Sequence, residues 1–465
     1  MLSVYDGHSR YGRRDFLKIG SLGLGGLTLA DLLAGREAAA ASSGQSVHDK
    51  AVIFLFMHGG PSQVETFDPK MTAPSGIRSA TGEIKTKIPG ITYGSTFEKL
   101  AALNDRTTVV RSFVTGDGRH DIKPVVGKDT LGANLGSIYS RIVGQNNPDN
   151  GMPSNVLLLP RSVDESTMPG VTQFGKFDST GTVGSAYRPF TPSGGGDLKA
   201  DMKLTLPMGR LTDRRGLLTR LDRLKRSFDG NGRRESLDRL REQAFDTILG
   251  GVAEAFDLSK ESPGTVARYD TSGLAPEAGT DKRWNNRKRY ADNGKTLGKL
   301  LLLARRLVER GCGFVTVTTN FVWDMHADVN NADVITGMNY MGRPFDHAVS
   351  AFLEDVHDRG LDDKILLVCC GEMGRTPRIN KKGGRDHWGN IAPLLLAGGG
   401  LEMGQVIGQS TRDVSRPLTT PNHNSNLIAT IWHTLFDVGG VRINQSVPRD
   451  IARAMENYQP IPGLL

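Results

Sequence analysis

Cysteine is scarce in this 465-residue sequence, which contains only Cys312, Cys369 and Cys370. An odd count, with two cysteines adjacent in an apolar run where they cannot easily pair, argues against a disulfide framework and against a Cys-based zinc site. All three read as small buried hydrophobes. No apolar stretch reaches the roughly 20 residues needed to cross a bilayer, so no stable membrane span is expected. No internal repeat is present. The net charge of +8 and the pI near 9.3 bring no DNA- or RNA-binding motif with them. The basic residues interleave with acidic ones, as in "DRLKRSFDGNGRRESLDRLRE", which argues against a nucleic-acid partner and leaves only a bias toward anionic substrates. What remains is 38% hydrophobic and 23% charged, with 57 glycines. That is the profile of a loop-rich globular protein able to build a sizeable core, and large α/β enzymes reach this length around one sheet.

The N-terminal stretch "YGRRDFLKIGSLGLGGLTLADLLAGREAAAASS" carries Arg13-Arg14, then Phe16-Leu17-Lys18, a weakly apolar run and an alanine cluster suited to cleavage. It reads as a twin-arginine export signal over residues 1–41. The implied partner is the twin-arginine translocation machinery, and the implied location is periplasmic or extracellular. That route carries proteins already folded, which suits a chain that loads a metal before export.

Residues 42–465 read as one α/β domain. "KAVIFLFMHGG" is a continuous apolar run ending in glycines, the pattern of a parallel strand buried on both faces. Similar runs recur at "TTVVRSFV", "SNVLLLP", "GFVTVTTN", "KILLVCCGE" and "APLLLAGGG", with amphipathic helices predicted at "GKTLGKLLLLARRLVERG" and "GRPFDHAVSAFLEDVHDRG". Strand and helix in alternation imply a doubly wound, mostly parallel sheet with helices on both faces. Residues 160–207 read as a loop-rich segment, and the leucine spacing over residues 208–260 predicts a helical insertion.

In such sheets ligands gather beyond the carboxyl ends of the strands. Asp324, His326 and Asp328 follow one apolar run, Glu372 and Arg375 follow another, and Asp386 and His387 precede the last. Carboxylates and imidazoles converging on one edge suit a divalent ion. Arg375, with Arg378 and Arg385 close by, suits phosphate or sulfate, because guanidinium pairs its donors with tetrahedral oxyanions. His423 reads as a helix-start neighbour and His433 as packing.

"FMHGGPSQVETFDPK", "WDMH" and "GEMGRTPRINKKGGRDHWGNIAPLLLAGGG" strongly resemble the domain-of-unknown-function family 1501 (DUF1501) over nearly the whole chain. That family in turn looks like a remote branch of the alkaline phosphatase and sulfatase superfamily, which holds divalent metal at strand ends and attacks phosphate or sulfate esters. The resemblance implies an alkaline-phosphatase-like fold. His387 precedes Pro393 by the interval that a metal-binding His shows in superfamily phosphomutases, so His387 is implied as a ligand. Glu372, Asp324, His326 and Asp386 are implied beside it, and zinc, manganese or calcium is the implied ion. Where the superfamily ends its first strand in a metal-binding Asp, this chain has His58, with Glu65 and Asp68 further on. For the nucleophile the matching region offers Thr115, beside Asp117, His120 and Asp121. Ser62 and Thr66 are alternatives, and an ion-activated water would need no protein nucleophile.

The expected activity is hydrolysis of anionic small-molecule or glycan esters of phosphate or sulfate, with Arg375, Thr115 and His120 as the catalytic candidates. The rival expectation is a non-catalytic member of the same fold that binds metal or a charged glycan. A third is transfer of the group in place of hydrolysis.

Overall fold

Seven strands build the central sheet: β1 (Ala51–Phe56), β2 (Thr108–Val110), β3 (Asn155–Leu158), β4 (Phe314–Thr318), β5 (Ile365–Cys370), β6 (Leu394–Gly398) and β7 (Gln405–Ile407). Their order is β7-β2-β6-β5-β1-β4-β3. The structure, a computed structural model, describes residues 4–6, 9–11, 46–192, 252–276 and 282–465. Arg13, Arg14 and the apolar run of the expected signal, the end of the loop-rich segment (193–207) and most of the expected helical insertion (208–251) lie outside the described residues.

Each of the six apolar runs singled out in the sequence contains a sheet strand. All side chains of β1 and β5 are buried, as a strand covered on both faces requires. Alternation decides which face each side chain serves. Ala51, Ile53 and Leu55 join one core with Leu297 and Leu301 of helix α2 (Arg287–Glu309) and Val349 and Phe352 of helix α3 (Val334–Asp358). Val52, Phe54 and Phe56 join a second core with Ile138 of helix α1 (Leu135–Val143) and Leu427 and Ile431 of helix α4 (Asn424–Leu435). Helices therefore cover both faces, and each fully buried aliphatic or aromatic side chain contributes roughly 1.5–3 kcal/mol.

Three differences from the sequence reading bear on the site. Helix α3 begins at Val334, ahead of the expected Gly342, because the Asp333 side chain accepts the Thr336 N–H at 2.9 Å and caps it, and Pro344 is accommodated inside the helix. The edge strand β7 was not expected, since "QVI" is too short to show a period. The third concerns direction. β5, β1, β4 and β3 pair in parallel, but β6 runs antiparallel to both β5 and β2. β6 therefore enters the sheet from the edge at which β1, β4 and β5 end. Residues after three strands and before a fourth meet on one rim.

Between residues 160 and 192 the chain makes only two short helical turns, Pro160–Ser162 and Ser185–Tyr187, and no strand. Val252, Ala255 and Phe256, at the end of the expected helical insertion, pack into the α2 core.

A candidate metal centre at the strand ends

Asp324 follows β4 by way of a turn in which Asn320 and Phe321 both take left-handed backbone angles (φ 58° and 64°). Such angles are uncommon outside glycine, and a bulky residue holds them only when its surroundings demand it. The demand comes partly from β1. After it the chain passes through Gly59 (φ 115°), where an added Cβ would lie 2.6 Å from the Asp324 nitrogen. Glycine is what lets the two strand ends approach so closely.

Around Asp324 stand three imidazoles from three different segments. Asp324 Oδ1 lies 2.7 Å from His326 Nε2, 3.3 Å from His387 Nε2 and 3.5 Å from His120 Nε2. Among the described residues these four offer ligand atoms that all fall within 4.8 Å of one another. The donor set fits a divalent ion: nitrogen and oxygen ligands about 2.0–2.1 Å from a tetrahedral metal lie roughly 3.4 Å from each other. Each imidazole turns the same nitrogen inward. His120 and Asp324 are nearly closed off, whereas the His326 and His387 side chains are 20% and 31% exposed, so the centre opens on their side.

The remaining carboxylates stand behind the imidazoles. Glu372 is completely buried and accepts the Gly59 N–H at 2.9 Å. The other nitrogen of His120, Nδ1, donates to Glu372 Oε1 at 2.9 Å. Asp386 Oδ1 stands 3.6 Å from His326 Nδ1 and accepts from Asn380 Nδ2 at 3.1 Å. A carboxylate behind a histidine fixes its orientation and raises its basicity toward a metal. Glu372 and Asp386, expected as ligands, thus stand behind two of the rings and outside the group of four, and His120, expected as a catalytic group, stands within it.

Arg375 also departs from expectation. Only 1% exposed, it donates through Nη2 to Asp324 Oδ1 at 2.6 Å and to the Gly59 carbonyl, through Nε to the Gly60 carbonyl at 2.7 Å, and through Nη1 to the Arg385 carbonyl. The guanidinium is occupied by the protein, so Arg375 positions Asp324 and does not face a substrate oxyanion. It also pairs across a two-residue ladder with His387, which sets that ligand beside Asp324. Arg385 is likewise fully buried, with Nε and Nη2 on Glu65 Oε1 at 3.0 and 2.7 Å. Gly384 before it lies against His326, where an added Cβ would fall 2.1 Å from the His326 carbonyl carbon. Arg378 is exposed.

Charge follows this geometry. Burial alone would raise the Asp324 pKa, but the Arg375 guanidinium and hydrogen bonds from the three histidines outweigh it and hold the carboxyl far below its usual range. Burial likewise opposes a charged His120, yet its hydrogen bonds to Asp324 and Glu372 prevail and raise it. His387 is lowered, chiefly by burial.

Other expected groups stand apart. Thr66 Oγ1 donates to the Ser62 carbonyl at 2.7 Å within its own turn, and Asp68 pairs with Ser410, Lys70 and Arg111. The Thr115 hydroxyl is buried without a partner, while its N–H bonds the Gly389 carbonyl at 3.2 Å. His423 stands at the start of the Asn424–Leu435 helix, as expected, with no side-chain capping bond and its N–H donating to Asn426 Oδ1 at 2.8 Å. Sequence reasoning missed Asn331, which donates to Asp324 Oδ2 at 3.0 Å, because nothing in "ADVNNADV" marks it.

The model for a protein of unknown function, DUF1501, matches residues 49–438. The chain belongs to the DUF1501 family. No curated protein matches it. Among solved structures, this DUF1501 protein is similar to the PsFucS1 sulfatase from Pseudoalteromonas sp. at 10% identity and a TM-score of 0.37, over 92% of this chain and 74% of that one. Similarity also extends to Ps i-CgsB in complex with k-i-k-neocarrahexaose, at 12% identity and a TM-score of 0.32, over 83% and 72% of the two chains. Roles for individual DUF1501 residues rest on this chain's own geometry.

Proposed function

We propose that the protein is an exported, metal-dependent hydrolase of phosphate or sulfate esters, and that His120, Asp324, His326 and His387 hold the ion. The observation that carries this reading is the convergence of three imidazole Nε2 atoms on one buried carboxylate, with Glu372 and Asp386 behind two of the rings. Three nitrogens and one oxygen suit zinc or manganese better than calcium, which prefers an all-oxygen shell.

A divalent ion held there would neutralise charge on the ester's oxyanion and make water a better nucleophile at neutral pH. The chain's own groups supply the rest. Arg375 and Asn331 fix Asp324 through its two oxygens. Glu372 takes the Nδ1 proton of His120 as a hydrogen bond, which leaves Nε2 for the ion. His387, the most exposed of the four, borders the side from which an ester approaches.

Elemental analysis of the purified protein should find a divalent metal, and aryl phosphates or aryl sulfates should be hydrolysed. Asp324→Ala and His387→Ala should lose metal and turnover together. A metal-free wild-type protein whose melting temperature ignores chelator and added zinc or manganese would sink the proposal.

The burial of Arg375 and Arg385 favours a second reading, a non-catalytic member that binds metal or a charged glycan. It predicts the same metal content with no turnover on any ester. No helix among the described residues is long and apolar enough to cross a membrane.

A further inference from the structure

We propose that a ring-binding subsite formed by Phe174, Phe321 and Arg289 adjoins the metal centre and takes the alcohol portion of an ester that carries a second anionic group. The proposal rests on the ester reading above and narrows its substrate class.

Phe174 and Phe321 stack with ring centroids 4.6 Å apart and planes 24° from parallel. Both rings also touch His120, at 4.9 and 4.8 Å, so an aromatic wall continues directly from one of the metal-centre imidazoles. Phe321 is buried, whereas Phe174 is half-buried. The left-handed pair Asn320-Phe321 builds this corner. Asn320 Oδ1 ties it together, accepting the Val171 N–H at 3.1 Å from the loop that carries Phe174 and Arg289 Nη1 at 3.2 Å.

Arg289 is half-buried. The buried arginines Arg305, Arg306, Arg375 and Arg385 each pair with a carboxylate. Arg289 meets none among the described residues: its only hydrogen bonds are from Nη1, to the Pro169 carbonyl at 3.4 Å and to Asn320. Nε and Nη2 carry no partner among the described residues. Asn320 immediately precedes Phe321, so its bond to Nη1 places the guanidinium at the same corner as the aromatic wall. Burial lowers its pKa, with Asp292 opposing, as expected for a cation short of counter-charge.

A phenyl face beside a guanidinium with free N–H groups recognises a ring bearing a carboxylate, sulfate or phosphate. The adjoining ion would take the oxyanion that is cleaved. The ester favoured on this geometry is thus a doubly charged one, with one charge at the metal and the other at Arg289.

Isothermal titration of the metal-loaded full chain with methylphosphonate, phenylphosphonate and 4-carboxyphenylphosphonate tests this, with the matching sulfonates distinguishing a phosphate from a sulfate preference. Phenyl should bind about tenfold tighter than methyl, and the carboxylate should add roughly fivefold more. Phe174→Ala and Phe174→Leu should erase the phenyl preference, Phe174→Trp should keep it, and Arg289→Gln should erase only the carboxylate increment. Metal content and methylphosphonate affinity should stay unchanged throughout. Equal binding of methyl and phenyl probes by wild type overturns the subsite, as does a preference that survives Phe174→Leu and Arg289→Gln. A wild-type protein that holds no metal, or that holds metal yet binds no methyl probe, overturns the ester reading itself.

Discussion

Arg375 Nη2 and Asp324 Oδ1 lie 2.6 Å apart with both side chains almost wholly removed from water, and the same oxygen faces all three imidazoles. This buried pair links the rim of β5 to that of β4. Removing one partner of such a pair strands a charge in a poor solvent and typically costs about 3–5 kcal/mol. Arg375→Ala should therefore destabilise the metal-free protein by about that amount in urea unfolding, and should lower metal affinity because Asp324 is no longer held. Arg375→Lys should recover only part of both, since a single ammonium cannot reach the Gly59, Gly60 and Arg385 carbonyls together. A neutral Arg375→Ala variant, or one that keeps metal and loses only anion binding, would restore Arg375 as a substrate contact.

The ligand and the partner of a ligand should differ in degree. Losing a carboxylate behind a metal-binding histidine commonly weakens metal affinity 10- to 100-fold. Glu372→Gln, which keeps the size but gives up the charge facing His120, should fall in that range by competition with a chromophoric chelator. His120→Ala and Asp324→Ala should weaken binding by more. If Glu372→Gln proves as damaging as Asp324→Ala, Glu372 is a ligand after all.

Much of the fold was legible because strands buried on both faces appear as unbroken apolar runs, and β1, β4 and β5 are of that kind. The end of β4 pointed to Asp324 and His326, and the start of β6 pointed to His387. The division of labour on the rim was not legible. Glu372 and His120 are 252 positions apart, and only the folded chain shows that one serves the other. Arg375 looked like an anion contact because a loop arginine is ordinarily exposed. Its burial follows from the antiparallel entry of β6, which folds the 371–393 segment back over it. Phe174 and Arg289 gave no signal, since an isolated aromatic residue and a basic residue near a helix start are common features of any chain.

The proposed export rests on the first residues. Arg13 and Arg14 precede Phe16-Leu17-Lys18 and a weakly apolar run, the pattern of a twin-arginine signal. Replacing both arginines with lysine should leave uncleaved precursor in the cytoplasm, as read by fractionation and immunoblotting. Unchanged export of the double variant would remove the assignment.

His58 gives the fold a pH dependence of its own. Its ring is 1% exposed, neither nitrogen has a hydrogen-bond partner, and Phe56, Phe177 and Phe321 surround it at 5.0–5.8 Å. Burial pushes its pKa from 6.5 down to about 4, against the opposing pull of Glu372. The sign follows from which state binds the proton. Between pH 6.5 and 4 the unfolded chain protonates this histidine and the folded one does not, so stability is full above 6.5 and is lost as pH falls toward 4. Linkage puts the loss between about pH 7 and about pH 5 at roughly 2 kcal/mol. His58→Leu keeps an apolar group in the aromatic cage and deletes the titration. Urea unfolding of the chelated proteins at both pH values should show the variant losing about 2 kcal/mol less than wild type over this interval. An identical loss in both proteins would mean that His58 is protonated, or hydrogen-bonded to water, in the folded state.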